Sequence, residues 1–488
     1  MANCVSCGRA LPSFSFGEAS NVCGDCRRAG IPPIPSAPVD PLSRSVRGVT
    51  YRPPFTVAIV GVNALVFAGM VATGVPLLKE PTYAQLLRWG ADFGPLSLDG
   101  QPWRVLTSNY VHIGLWHIVL NMWGLWNLGR LAERIFGGWT YLLTYTACGI
   151  AGSLTSLFFH PHTPGAGASG AIFGLVGALI SALYLGRLPF PKVAMQRMLR
   201  SLLIVVAVNL YLGAQVGVID NSAHIGGLVM GLALGAVLGP ELTKPREIRT
   251  AHERIVFVAA AILLVGLGAF ARRQSGWVVP LERARQAINQ GRVDEGIGEL
   301  QQVLARRPDE EMGLDLLSYA YLLKNDYPRA EVALKRLLTS DPDDPTAQYN
   351  LGVVYQATDR YEQARELFLK LSLQTPENDK VWLSLGSSLK KLNRLPEAEQ
   401  AFRQALAVNP KNSAAFLAIG QMQLELEQPD TAIDSFQHCL QIDPKSADAE
   451  LGLSRAYLAK RMFKEAAGTL KKYQEIKASK QPPSQWSR

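Results

Sequence analysis

Three groups of polar residues interrupt the long apolar stretches in the middle of this 488-residue chain, and together they could support nucleophilic catalysis. Ser169 follows the small-residue run Gly165-Ala-Gly-Ala168, which would set it at or near a helix N-terminus, where unpaired backbone N–H groups can hold an anion. His224 stands in Ala223-His-Ile-Gly-Gly227, and histidine titrates close enough to neutrality to take a hydroxyl proton. His117 and Asn121 are four residues apart, one above the other on a single helical face. A serine hydroxyl is a weak nucleophile until a base removes its proton, so Ser169 as nucleophile and His224 as general base form a sufficient unit with no cofactor for catalysis. Negative charge developing on a scissile oxygen needs preorganised donors, each typically worth about 3 kcal/mol; Asn121, His117 and the Ser169 amide could supply them, provided His117 donates its proton.

Each group also has a plainer explanation. Ser169 alone reads as a helix cap, His224 as an interhelical hydrogen bond, and His117 with Asn121 as glue between helices. Their conjunction argues for chemistry, because polar and ionisable groups inside a bilayer are costly. His112, His160 and His162 fall near the outer boundary and receive no catalytic role.

The elements that must position these residues are membrane helices. Seven apolar stretches, at about 55–75, 111–128, 139–159, 169–185, 199–219, 223–238 and 255–270, recur through a region poor in charge, several slightly shorter than the roughly twenty residues of a simple span. In the sixth, Gly227, Gly231 and Gly235 form a glycine face that would let another helix approach closely and bring His224 to Ser169. The net charge of +9 does not indicate nucleic acid, because the cations sit in short segments between apolar runs. Arg130 and Arg134, then Arg187, Lys192, Arg197 and Arg200, then Lys244, Arg246, Arg249 and Arg254 occupy alternate loops, on the side of the N-terminus, which the positive-inside rule makes cytoplasmic. The first apolar run opens at Phe55 and is expected to act as an uncleaved anchor. The seventh inverts the chain again and would put the C-terminal part of the protein outside, although Arg272 and Arg273 oppose this and the stretch is short enough to be interfacial.

The two ends differ from the middle. Cys4, Cys7, Cys23 and Cys26 make two CxxC knuckles with the spacing of a structural zinc site in a zinc-ribbon-like module at 1–30; a reducing cytosol disfavours the alternative of two disulfides. A Pro-rich linker at 31–54 carries Arg44, Arg47 and Arg52. After Pro280 the sequence repeats every 34 residues, in Pro308, Pro342, Pro376, Pro410 and Pro444 and in Ala330, Ala364, Ala398, Ala432 and Ala466. Gly352, Gly386 and Gly420, with Phe368, Phe402 and Phe436, complete a pattern that resembles tetratricopeptide repeats over about 277–480. Such hairpins stack into an α-solenoid whose concave surface binds a protein or peptide partner.

The middle resembles the rhomboid family of intramembrane serine proteases from about residue 55 to 239. The motifs are Trp103-Arg104, His117-Ile-Val-Leu-Asn121, Gly129-Arg-Leu-Ala-Glu133-Arg-Ile-Phe-Gly137, Gly167-Ala-Ser169-Gly170 and Ala223-His224-Ile-Gly-Gly227, in the family's order. The resemblance implies an all-α polytopic fold with a six-helix core and a Ser–His dyad in a water-filled depression open to the outer face. It implies Ser169 as nucleophile, His224 as base, His117 and Asn121 at the oxyanion, Phe173 stacked on the histidine ring, a structural Glu133, and membrane-anchored protein substrates. The expected organisation adds a basic loop at 240–254, a seventh span at 255–272 and a tail at 481–488. The expected location is a bacterial plasma membrane, with the N-terminus cytoplasmic and the repeats extracytoplasmic. A non-catalytic scaffold that binds transmembrane helices is the competing function; a transporter would need repeats among the spans and charged residues along a path, and no such repeat is seen and membrane carboxylates are almost absent.

Overall fold

The computed structural model describes residues 53–480 except 187, 189, 217 and 218. Cys4, Cys7, Cys23 and Cys26, the linker arginines Arg44, Arg47 and Arg52, Arg187 and the tail therefore lie outside the described residues. Among the described residues every regular element is helical. The chain divides into two compact units: the described residues up to 91 with 105–156 and 165–267, and residues 92–104, 157–164 and those from 268 onward.

The first unit is built on α1 (Pro54–Ala72), α2 (Leu115–Phe136), α3 (Gly138–Phe159), α4 (Ser169–Leu185), α5 (Lys192–Gln215), α6 (Asn221–Leu238) and the larger part of α7 (Arg246–Ser275). Five of these, α1, α3, α5, α6 and α7, are long and apolar enough to cross a membrane, while α4 is a shorter apolar helix of 17 residues. α2 is long enough but carries His117, Asn121, Asn127 and a charged last third, so its apolar character is diluted by the groups that make it interesting. It starts at Leu115, not at 111, because Gly114 has φ +154° and breaks the path. α7 already begins at Arg246, inside the stretch expected as a basic loop, and its 30 residues give about 45 Å of helix.

Local chemistry explains where these helices start and stop. α1 opens on Pro53-Pro54, whose fixed φ suits a first turn. The carboxylate of Glu133, near the end of α2, accepts hydrogen bonds from the amides of Phe55 at 3.1 Å and Thr56 at 2.8 Å and from the Thr56 hydroxyl at 2.7 Å. A buried anion thus meets the orphan donors and positive dipole end of α1. α2 ends at Gly137, φ +86°, and α6 is capped by Asp220, whose Oδ1 accepts from Ser222 N and Ala223 N.

The second unit contains α8 (Val278–Asn289), α9 (Val293–Arg306) and five further helical pairs from Glu311–Leu323 to Phe463–Lys480. The repeated Gly and Phe are one device: a Cβ at Gly352, Gly386 or Gly420 would sit 2.6, 2.5 or 2.8 Å from the ring of Phe368, Phe402 or Phe436. Each missing side chain makes the slot that a fully buried ring fills.

Candidate active site

Ser169 is the first residue of α4, and the loop before it is held from below. Gly167 N donates to Ser108 O at 2.9 Å, and Ser108 Oγ lies 3.0 Å from Ser153 Oγ of α3. Gly167 has φ +132°, a conformation that side chains rarely adopt, and a Cβ there would fall 2.7 Å from Cε1 and 2.9 Å from Nε2 of His117. The loop and the His117 ring are therefore in direct apposition. Ser169 N has no intrahelical acceptor, so it remains free to donate.

His117 has a defined orientation. Its Nδ1 accepts from Ile113 N at 3.3 Å, which leaves the proton of the neutral ring on Nε2, the atom that faces Gly167. His117 is thus a donor towards the Ser169 loop, as oxyanion stabilisation requires. Asn121 Nδ2 spends one proton on His117 O at 2.8 Å and keeps the second. His112 is the residue missed by sequence reasoning: it is fully buried, its ring centroid is 5.2 Å from that of His117, and its Nδ1 is 3.4 Å from Tyr110 O. Residues 111–114 are not helical, so periodicity gave no reason to place it beside His117.

His224 occupies the first turn of α6, one turn after Asp220. Its ring lies on that of Phe173, with centroids 4.2 Å apart and planes 4° from parallel. Phe173 is one turn after Ser169 on α4, so the stack brings the first turns of α4 and α6 together. The approach is possible because of glycine. A Cβ at Gly227, Gly231 or Gly235 would run into the backbone of Gly170, Gly174 or Ala178; in return a Cβ at Gly177 would fall 2.4 Å from Leu228 O of α6, while one at Gly174 would first meet Cys148 of α3. His224 is buried, and among the described residues no carboxylate is hydrogen-bonded to its Nδ1. Among the described residues no hydrogen bond joins the Ser169 hydroxyl to His224. Ser169, His117, Asn121 and His224 belong to one unit around the N-termini of α2, α4 and α6; His160 and His162 belong to the other. No group of three metal-binding side chains occurs among the described residues.

A rhomboid domain matches residues 99–241, which enclose all four residues, and tetratricopeptide repeats match 281–333, 321–389, 383–447 and 423–482. Rhomboid protease GluP of Bacillus subtilis (strain 168) is 30% identical over 286 residues, 58% of this chain and 54% of that protein. Rhomboid protease AarA of Providencia stuartii is 30% identical over 231 residues, 43% of this chain and 79% of that protein. RHOMBOID-like protein 4 of Arabidopsis thaliana is 36% identical over 163 residues, 33% of this chain and 41% of that protein. The chain thus spans about half the length of the first relatives it matches.

Proposed function

The chain belongs to the rhomboid family, and on that premise we propose that it is an active intramembrane serine endopeptidase acting on membrane-anchored proteins. The observation that carries this reading is the stacked Phe173–His224 pair, which sets an imidazole over the helix that Ser169 begins. In the first step His224 takes the hydroxyl proton as Ser169 Oγ bonds to the scissile carbonyl carbon. The electron pair of the C=O bond moves to oxygen, where the Ser169 amide, His117 Nε2–H and the free Asn121 proton receive it. His224 then gives its proton to the leaving amine, and water repeats the sequence on the acyl-enzyme.

The same reading places the chain in a bacterial plasma membrane with its N-terminus cytoplasmic. The repeats would recruit a substrate or partner protein outside, and zinc would be held by Cys4, Cys7, Cys23 and Cys26. Cleavage of a tagged model transmembrane substrate in liposomes is the test of activity. The wild type should cut it and Ser169→Ala should not; residual cutting by Ser169→Ala removes Ser169 from the role. Metal analysis should find one zinc per chain, lost in Cys4→Ser, and equal zinc in both would unseat those ligands.

A non-catalytic scaffold is the second reading, supported by the unformed hydrogen bond between Ser169 and His224. It predicts that the wild type binds transmembrane helices and cleaves none of a panel.

A further inference from the structure

Arginine is disfavoured at an outward membrane boundary, yet α7 carries Arg272 and Arg273 in its last turn, and the structure supplies a reason for keeping them. Within the second unit a cavity of about 610 Å³ opens at the end of this helix, of a size that holds small ligands. Five arginines line it: Arg272, Arg273, Arg283, Arg306 and Arg307, from α7, α8, α9 and the residue after α9. Against them stands one lining carboxylate, Asp99, which is committed to Arg283 at 2.5 Å. Arg307 lies 4.3 Å above the Trp277 ring and 3.4 Å from Glu310. Arg272, Arg273 and Arg306 have no acidic partner among the described residues.

We propose that this cavity binds the phosphate of an anionic phospholipid in the leaflet where α7 ends. Guanidinium forks match phosphate oxygens in pairs, and three unneutralised cations around one cavity create the field such an anion needs. The acyl chains have a place as well. Phe270, three residues before Arg273 on α7, stacks on Phe158 at 5.6 Å, and Phe158 in turn meets Phe159 at 4.9 Å. Phe270 is 49% exposed and Phe159 62%, which leaves an apolar aromatic face in the same unit as the charges. Trp277, at the rim, is the residue type that settles at the headgroup level. A charged cavity together with an exposed aromatic face at the end of an apolar helix fits an amphiphile with one anionic end, and it fits a wholly soluble anion less well.

The test is native mass spectrometry of the full-length protein, titrated in detergent with phosphatidylglycerol or phosphatidylcholine of identical acyl chains. The wild type should retain phosphatidylglycerol in preference. The triple variant Arg272→Gln, Arg273→Gln, Arg306→Gln should bind it roughly 10- to 100-fold more weakly. All three side chains are exposed, so the fold should survive; the triple lysine variant should keep part of the affinity, and Ser169→Ala all of it. Equal retention of the two lipids, or equal binding by wild type and triple variant, would overturn the proposal. So would glycerol phosphate or an acidic peptide binding as tightly as the lipid, which would make the cavity a site for soluble anions or for protein. Because Ser169→Ala enters only as a binding control, failure here leaves the protease reading untouched, and failure of that reading leaves the lipid site untouched.

Discussion

At Gly167 two independent constraints fall on one residue. Its φ of +132° is a conformation held almost solely by glycine, and its Cα hydrogen points at the His117 ring. Alanine there would incur about 1–3 kcal/mol of backbone strain and also push a methyl group into Cε1 and Nε2. Gly167→Ala should therefore lower stability by about that strain and also reduce cleavage at least about tenfold, a loss that persists at temperatures where the variant is fully folded. Cleavage at the wild-type rate would show that the turn does not set the position of Ser169. His117 and Asn121 were readable in advance because they are polar, four apart and embedded in apolar sequence. The direction of His117 was not: it depends on the Ile113 amide, in a non-helical stretch whose geometry follows from Gly114. The same stretch hides His112, which looked like a boundary residue and is fully buried.

Helix pairing in this chain is decided by residues that have no side chain. The spacing Gly227, Gly231, Gly235 marks the face of α6, since residues four apart share a side of a helix; its partner, α4, was expected only from the need to bring His224 to Ser169, because spacing by itself names no partner. A Cβ at Gly231 would meet the Gly174 backbone, which cannot rotate away as a side-chain tip can. Gly231→Ala should therefore force α4 and α6 apart, lowering stability by roughly 1–3 kcal/mol and cleavage with it. Gly266→Ala in α7 has nothing within 4 Å and is the matched control, with stability unchanged or slightly raised. A thermal shift of equal size in both variants would mean that the glycine face is not a packing device. The cap of α1 makes a second case. Glu133 was readable as structural, but its targets lie 77 and 78 residues earlier, beyond any local pattern. Glu133→Gln keeps the shape, removes the charge and turns one acceptor into a donor facing other donors; hydrogen bonds to a charged group typically carry about 1.5–3 kcal/mol, and a melting temperature lowered accordingly is expected. An unchanged melting temperature would show that α1 starts without its cap.

Taken as a whole, the chain joins a unit organised by membrane constraints to one organised by a 34-residue period, and the two were legible for different reasons. The repeats announced themselves because each hairpin solves the same packing problem with the same Gly, Ala, Phe and Pro positions. The arginine cavity could not be read, because its residues come from separate elements and only folding gathers them. Charge pairs between neighbouring repeats are equally invisible to the period, and one makes the repeat unit sensitive to acid. Glu331 accepts from two nitrogens of Arg360, at 3.0 and 2.5 Å, and from Lys335 at 2.7 Å. The hydrogen bonds from Arg360, followed by those from Lys335, pull its carboxyl from the ordinary 4.5 down to about 2. An acid held low in the folded state contributes stability that is fully present above its unfolded value and is lost as the pH falls through its folded one. A soluble fragment of residues 277–480 should therefore lose a share of its stability between about pH 4.5 and pH 2 that Glu331→Gln never had. That share should shrink in high salt, because Arg360 is partly exposed. The measurement is the difference in melting temperature between wild type and Glu331→Gln across that range. It should be widest near pH 6 and should close towards pH 2; a difference that stays constant with pH would mean that the ion pair adds no stability and that the glutamine acts only through packing.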